Sequence, residues 1–450
     1  MNEQQRKKIE ELSLIVEQES YIDSNLYANY DVKRGLRNSN GTGVLAGLSK
    51  VGEVHGYYVE DGDVMPDHGK LYYRGKNVYD IVDGFQKDKR FGFEEVCYLL
   101  LFGKLPTALE LNEFSDLLGE LRELEDGFVR GMILKAPSTD IMNKLARSVL
   151  AKYSYDDNPD DTSTANVIRQ SIELIAQFPS IMAYGYQAKS HYHNNESLFL
   201  HKPKRELSTA ENILTMMRHD SDYSRVEAEI LDLSLVLHAE HGGGNNSSFV
   251  TRVVTSSGSD TYSAIAAAIG SLKGPKHGGA NMKVLAMMND IKRNVKKWDN
   301  KEEIKRYLTK IINKEAFDGS GLIYGMGHAI YTLSDPRAVL LKQKAIELAK
   351  EKDKMLELNL YLAIEELTPQ VFTEVKGIDK HIAANVDLYS GFVYEILNIP
   401  PDIYTPLFAT ARIPGWCAHR IEELLTGHRI IRPAYKSVVT KHKYRPLSER

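Results

Sequence analysis

The 450-residue chain reads as mostly α-helical, with a small β element near its N-terminus. Three observations carry that reading. Apolar residues recur at helical spacing in most segments, whereas strand-like alternation is confined to 53–73. Glycine, asparagine and serine cluster in four loops, at 239–248, 274–281, 319–328 and 385–391, and these loops hold nearly all the distinctive chemistry. That pattern suits a site built between two helical bodies, and the chain is long enough for two domains.

In chain order, the first β signal is EVHGYYVEDGDV, alternating weakly around a turn at Asp61-Gly62. Residues 91–120 predict two helices split by Gly103-Lys104-Leu105-Pro106-Thr107. The longest apolar run, Ile172 to Tyr186, is broken by Gln177, Pro179 and Ser180 and falls short of a membrane span. Residues 226–241 place Val226, Ile230, Leu233, Val236 and Leu237 on one helical face. The stretch 261–272 is rich in Ala and Gly, so another helix can approach closely, either within the chain or from a second copy. Residues 301–314 and 336–351 are charged amphipathic helices. In the latter, Asp335 caps and Pro336 takes the first helical position. The same style continues through 355–366, and no internal repeat or low-complexity segment is present.

The hydrophobic share of 42% and mean hydropathy of -0.35 are ordinary for a soluble globular protein. With 57 basic and 61 acidic residues the formal charge is -4, which argues against a dedicated nucleic-acid binder. Two cysteines, Cys97 and Cys417, cannot build a disulfide framework, and a reduced interior is the easier setting. The charged start, with Arg6-Lys7-Lys8 and Glu10-Glu11, lacks the apolar core of a secretory signal, so a cytoplasmic, membrane-free protein is expected.

The sharpest motif is Gly325-Met326-Gly327-His328-Ala329-Ile330-Tyr331, followed by Asp335-Pro336-Arg337. A glycine-flanked imidazole can donate to a developing oxyanion, and a guanidinium at a helix start can fork onto a carboxylate. Gly274-Pro275-Lys276-His277-Gly278-Gly279 holds a second histidine opening toward a helix. The positive end of that helix would favour a neutral ring, and a capping or buried histidine is the equal alternative. Asp387, in Asn385-Val386-Asp387-Leu388, is either a base with a burial-raised pKa or the N-cap of a helix starting near 388. His238 and His241 stand three apart at a helix end. No cysteine pair or third ligand stands nearby, so hydrogen bonding to an anion is favoured over zinc. Arg412 and Arg432 lie beside Pro414 and Pro433. No phosphate-binding P-loop, nucleophile elbow or dinucleotide fingerprint occurs, which leaves nucleotide and hydride chemistry without support.

Taken in order, HAEHGGGN, GPKHGGAN, GMGHAIYTLSDPRA and NVDLYSG resemble the citrate synthase family, as do EEVCYLLLFGKLPT, LYYRGKNVYDIV and IIRPAYKS. The resemblance runs from about residue 50 to 440. It implies an all-α fold: a large domain, 1–281 with 389–450, forming a homodimer, and a smaller helical lid, 282–388, that closes over the site. It implies condensation of acetyl-CoA with oxaloacetate and water to citrate and CoA, the first step of the tricarboxylic acid cycle. By the same resemblance Asp387 is the base, His277 stabilises the enol and His328 polarises the oxaloacetate carbonyl. His241, Arg337, Arg412 and Arg432 hold substrate carboxylates, with Arg432 reaching in from the neighbouring subunit. The run Leu322, Ile323, Tyr324, Gly325, Met326 and Gly327 lies along CoA. No metal and no permanently bound cofactor is implied. Two residues depart from the family pattern: Lys276 stands at a usually apolar position, and Gly242 where many members carry Glu. The nearest alternative is 2-methylcitrate synthase, which takes propionyl-CoA. More distant ones are a metal hydrolase built on His238, His241 and His277, and a helical scaffold without catalysis.

Overall fold

The computed structural model describes residues 1–61, 63–377, 381–427 and 429–450. The chain divides into two compact units, one of Met1–Leu48 with Tyr58–Met65, the other of Ser49–Tyr57 with Pro66–Arg450. In the first unit Asn2 and Gln5 form a reciprocal capping box that starts the helix Glu3–Glu19, none of whose residues is buried. A short helix, Ser24–Asn29, follows under an Asp23 cap.

The expected β element is a three-stranded sheet of β1 (Gly52–Glu60), β2 (Asp63–Tyr73) and β3 (Lys76–Asn77), in that order. The β2–β3 pair is antiparallel, with Tyr72 opposite Asn77 and Tyr73 opposite Lys76. Of the turn expected at Asp61-Gly62, Gly62 lies outside the described residues.

Most of the remainder of the second unit is helical. The two helices expected in 91–120 are Phe93–Phe102, ended by Gly103 at φ 76°, and Ala108–Leu121, started by a Thr107–Glu110 capping box. The helix expected over 226–241 ends sooner, as Arg225–His238, which frees Glu240 and His241 for other work. Lys301–Ile312 and Pro336–Glu351 match their patterns, with Asp335 accepting the Arg337 N–H as a cap. Met355–Lys376 runs ten residues past the expected end and stops at Gly377, φ 66°.

Two long helices were not legible as such, because prolines sit inside them. Thr164–Asn194 carries Pro179, and Tyr404–Thr426 carries Pro414. An interior proline costs a helix about 3 kcal/mol. Burial outweighs that cost here: Phe178, Ile181, Met182, Ile413, Trp416 and Cys417 are all completely buried, and a large apolar side chain contributes about 1.5–3 kcal/mol when buried. The Ala-rich helix, Thr261–Lys273, packs inside the chain against Asn246–Ser256 and Ile141–Lys152, burying Ala264, Ala268, Ile269 and Leu272. Ser263, Ala267 and Gly270 lie on its more exposed side. Both cysteines are free and buried. Among the described residues no helix is long and apolar enough to cross a membrane.

Candidate active site

The expected site residues fall on six segments of the second unit, and backbone hydrogen bonds tie two of these together. The Gly327 N–H donates to the Ala383 carbonyl at 2.7 Å, and the Asn385 N–H to the Gly325 carbonyl at 2.9 Å. The Asn385 side chain adds a bond to the Gly327 carbonyl at 2.9 Å. The loop carrying His328 is thus held like a short strand pair against the start of the helix Val386–Ile396. Gly325 has φ 83°, and a Cβ there would stand 3.0 Å from the Leu388 Cβ. Both the left-handed backbone and the close approach demand glycine.

On that loop His328 Nδ1 accepts the N–H groups of Ile330 at 3.1 Å and Tyr331 at 3.2 Å. Two donors on one ring nitrogen put the imidazole proton on Nε2, which makes Nε2 a donor. The ring lies 4.7 Å from Tyr331 and 5.3 Å from His241, centroid to centroid.

Asp335 joins the loop to the arginine. Its carboxylate caps Pro336–Glu351, takes Arg337 Nε at 3.0 Å and Nη2 at 2.8 Å, and accepts the Val386 N–H at 3.3 Å. Both members are almost completely buried. The bidentate geometry fixes the guanidinium, and the Val386 bond ties it to the helix that bears Asp387.

Asp387 is not the N-cap of that helix. Asn385 is, accepting the Asp387 N–H at 3.0 Å, and the helix starts at Val386 rather than near 388. The cap therefore leaves the Asp387 carboxyl uncommitted to backbone. Burial raises its pKa to about 6, outweighing the attraction of Arg337, and Asp335 adds repulsion.

His277 precedes the helix Ala280–Asn294, and its Nε2 lies 3.0 Å from Ser247 Oγ. Burial, with Arg412 as a second cause, pushes its pKa down to about 4, so the ring is neutral at pH 7. Ser247 also takes the Trp416 indole N–H at 3.0 Å and donates its hydroxyl proton to Asn245 Oδ1 at 3.0 Å. With that proton on Asn245, Ser247 accepts from His277 Nε2–H; only when the hydroxyl turns to donate to Nε2 does the imidazole proton sit on Nδ1. Lys276 is exposed.

His241 is buried, its pKa driven well down by desolvation and then by Arg337, and its Nε2 has no hydrogen-bonding partner. Arg412 is buried inside Tyr404–Thr426. Its Nε donates to the His238 carbonyl at 2.6 Å, while Nη1 and Nη2 have no partner. Gly415, one turn on, permits this approach: a Cβ there would fall 2.4 Å from the Ala239 carbonyl oxygen. His238 is occupied structurally, with Nδ1 2.7 Å from the Ser234 carbonyl and its ring 4.8 Å from Phe408. Among the described residues no three His, Cys, Asp or Glu side chains are grouped to hold a metal. Arg432 is exposed on the extended segment after Tyr404–Thr426. In the expected CoA run, Ile323 and Gly325 are buried, Leu322 is exposed, and Tyr324 donates to Asp318 at 2.8 Å.

Sequence reasoning missed three contributors. Asp335 was read only as a cap, and Ser247 and Asn385 only as members of polar loops. The backbone bonds that recruit them have no side-chain signature.

The chain has counterparts among known proteins. Residues 41–434 match the family model described as citrate synthase, C-terminal domain. A citrate synthase of Haloferax volcanii is 34% identical over 93% of this chain and 99% of its own. A 2-methylcitrate synthase of Corynebacterium glutamicum is 33% identical over 87% of this chain and 96% of its own. A solved citrate synthase of Thermoplasma acidophilum, in ternary complex with carboxymethyl coenzyme A and oxaloacetate, superposes with a TM-score of 0.75. It is 26% identical and covers 93% of this chain and 99% of that one.

Proposed function

The chain belongs to the citrate synthase family, and we propose that it condenses acetyl-CoA with oxaloacetate to give citrate and CoA. The observation that carries this reading is a carboxyl raised to about 6, Asp387, on a helix start bonded to both the His328 loop and the Arg337–Asp335 pair.

A thioester methyl is a weak acid. Removing its proton requires a base with a pKa near neutrality and a donor at the enol oxygen in the same step. Asp387 is that base, and neutral His277 supplies the donor, from Nδ1 once the Ser247 hydroxyl turns from Asn245 to its Nε2. The enol carbon attacks the oxaloacetate carbonyl, which the His328 Nε2–H polarises. Arg412 and His241 hold the oxaloacetate carboxylates, since their partnerless guanidinium and imidazole nitrogens call for an anionic ligand, and Arg337, fixed by Asp335, joins them. The resulting citryl-CoA is attacked by water at its thioester carbon, and CoA leaves as the thiol. The 322–327 backbone lies along CoA, and residues 282–388 act as a lid that keeps water from the enol. Arg432 completes the site from the neighbouring subunit of a homodimer, and the small residues Ser263, Ala267 and Gly270 allow a second copy to approach Thr261–Lys273 closely.

Thiol release with oxaloacetate plus acetyl-CoA tests the reading. Rapid release is expected, and none with either acetyl-CoA or propionyl-CoA overturns it. The 2-methylcitrate relative, at nearly the same identity, supports propionyl-CoA as a second acyl donor. One methylene in the acyl pocket is worth only ~1–3 kcal/mol, so both thioesters belong in the assay.

A further inference from the structure

The floor of the site holds a polar atom that packing does not explain. Tyr331 is 2% exposed, and its hydroxyl has no hydrogen-bonding partner within the chain. Its ring is fixed from several sides. The His328 ring lies 4.7 Å away and the His241 ring 5.6 Å away. The Arg337 guanidinium sits 5.6 Å from the ring centroid. On the β2 side, a Cβ at Gly69 would stand 2.7 Å from Tyr331 Cδ1, so the strand backbone presses against the ring edge. Phenylalanine would fill the same volume, and the hydroxyl adds only the cost of a buried polar group with nothing to bond.

What the hydroxyl lacks is an acceptor. Burial pushes its pKa upward, so it stays a neutral donor. Both Arg337 and Arg412 interact electrostatically with Tyr331, and the Arg337 guanidinium lies 5.6 Å from its ring centroid. Other buried atoms without a partner are the donors Arg412 Nη1 and Nη2, His241 Nε2 and one carboxylate oxygen, Glu240 Oε2, whose side chain is held by His419 and the Gly242 N–H. Two guanidinium groups, an imidazole and a phenol donor make a receptor for an anion, and a substrate carboxylate supplies the acceptor that the phenol lacks.

We propose that Tyr331 is a further oxaloacetate-binding residue, its hydroxyl donating to a carboxylate oxygen of the substrate held by Arg337 and Arg412. With its ring against His328, it fixes the rotation of the keto acid so that the carbonyl meets the His328 Nε2–H. The assignment rests on the proposed condensation reaction.

Tyr331→Phe in the full-length protein tests it. Loss of one charge-assisted bond predicts roughly 10- to 100-fold weaker oxaloacetate binding by calorimetry, with the KM for acetyl-CoA within about twofold. The ligand-free variant melts no lower than wild type, because no bond inside the chain is lost. The rise in Tm on adding oxaloacetate shrinks. Unchanged oxaloacetate affinity overturns the assignment. So does a lower Tm of the free variant with equal weakening for both substrates, since that marks the hydroxyl as structural. Oxaloacetate-dependent thiol release by the wild-type protein is scored separately. Its absence overturns the reaction itself, whereas wild-type oxaloacetate affinity in Tyr331→Phe removes only this residue.

Discussion

Replacing Asp387 by asparagine should abolish turnover while making the protein more stable at neutral pH. The carboxyl titrates near 6 in the folded chain against 3.8 for an ordinary aspartate, and burial is the main cause. A pKa raised on folding costs nothing below 3.8, where the group is protonated in both states. The cost grows through the interval and is complete above about 6, where the native state holds a buried charge. Two units correspond to about 3 kcal/mol. Asparagine keeps the shape and removes the charge, so its advantage should be absent at pH 4 and full at pH 8. In a chain of this length that is a rise in Tm of a few degrees. Thermal melts of both proteins from pH 4 to 8 measure it, beside thiol release. Wild-type kcat/KM should fall about tenfold per pH unit below about 6, as the base becomes protonated. A variant that is less stable at pH 8, or that keeps near-normal turnover, would refute both the strained carboxylate and its role as base.

Two further substitutions probe the frame around that carboxyl. Arg337→Ala strips the buried Asp335 carboxylate of its bidentate partner and should destabilise the protein by about 3–5 kcal/mol. Urea unfolding reads this, and a loss below about 1 kcal/mol would mean that the Val386 N–H and other neighbours suffice for Asp335. Gly325→Ala forces a side chain into left-handed backbone 3.0 Å from the Leu388 Cβ, at about 1–3 kcal/mol of strain. Because this glycine is bonded to Asn385, the KM for acetyl-CoA should rise more than that for oxaloacetate. Equal KM changes would place the loop outside the acyl-CoA half of the site.

Helices with unbroken periodicity and good caps, such as Pro336–Glu351, were legible because local rules and tertiary burial agree there. Thr164–Asn194 and Tyr404–Thr426 were not, since Pro179 and Pro414 are local stop signals that burial overrides. At the site, glycine-flanked His277 and His328 stood out because loops that carry chemistry concentrate unusual residues. Asp387, taken alone, looked as much a helix cap as a base. One residue decides that choice: Asn385 takes the cap, and only then does the Asp387 carboxyl face a desolvated interior without backbone donors. Tyr331 shows the complementary limit. In sequence it is an aromatic after an isoleucine, indistinguishable from core. Its meaning lies in what the fold withholds, a hydroxyl buried without an acceptor beside His241, His328 and Arg337, in a site where the terminal nitrogens of Arg412 also lack one. Such atoms cost the free protein stability, so a fold that keeps several together has stored the binding free energy of the anion that will satisfy them.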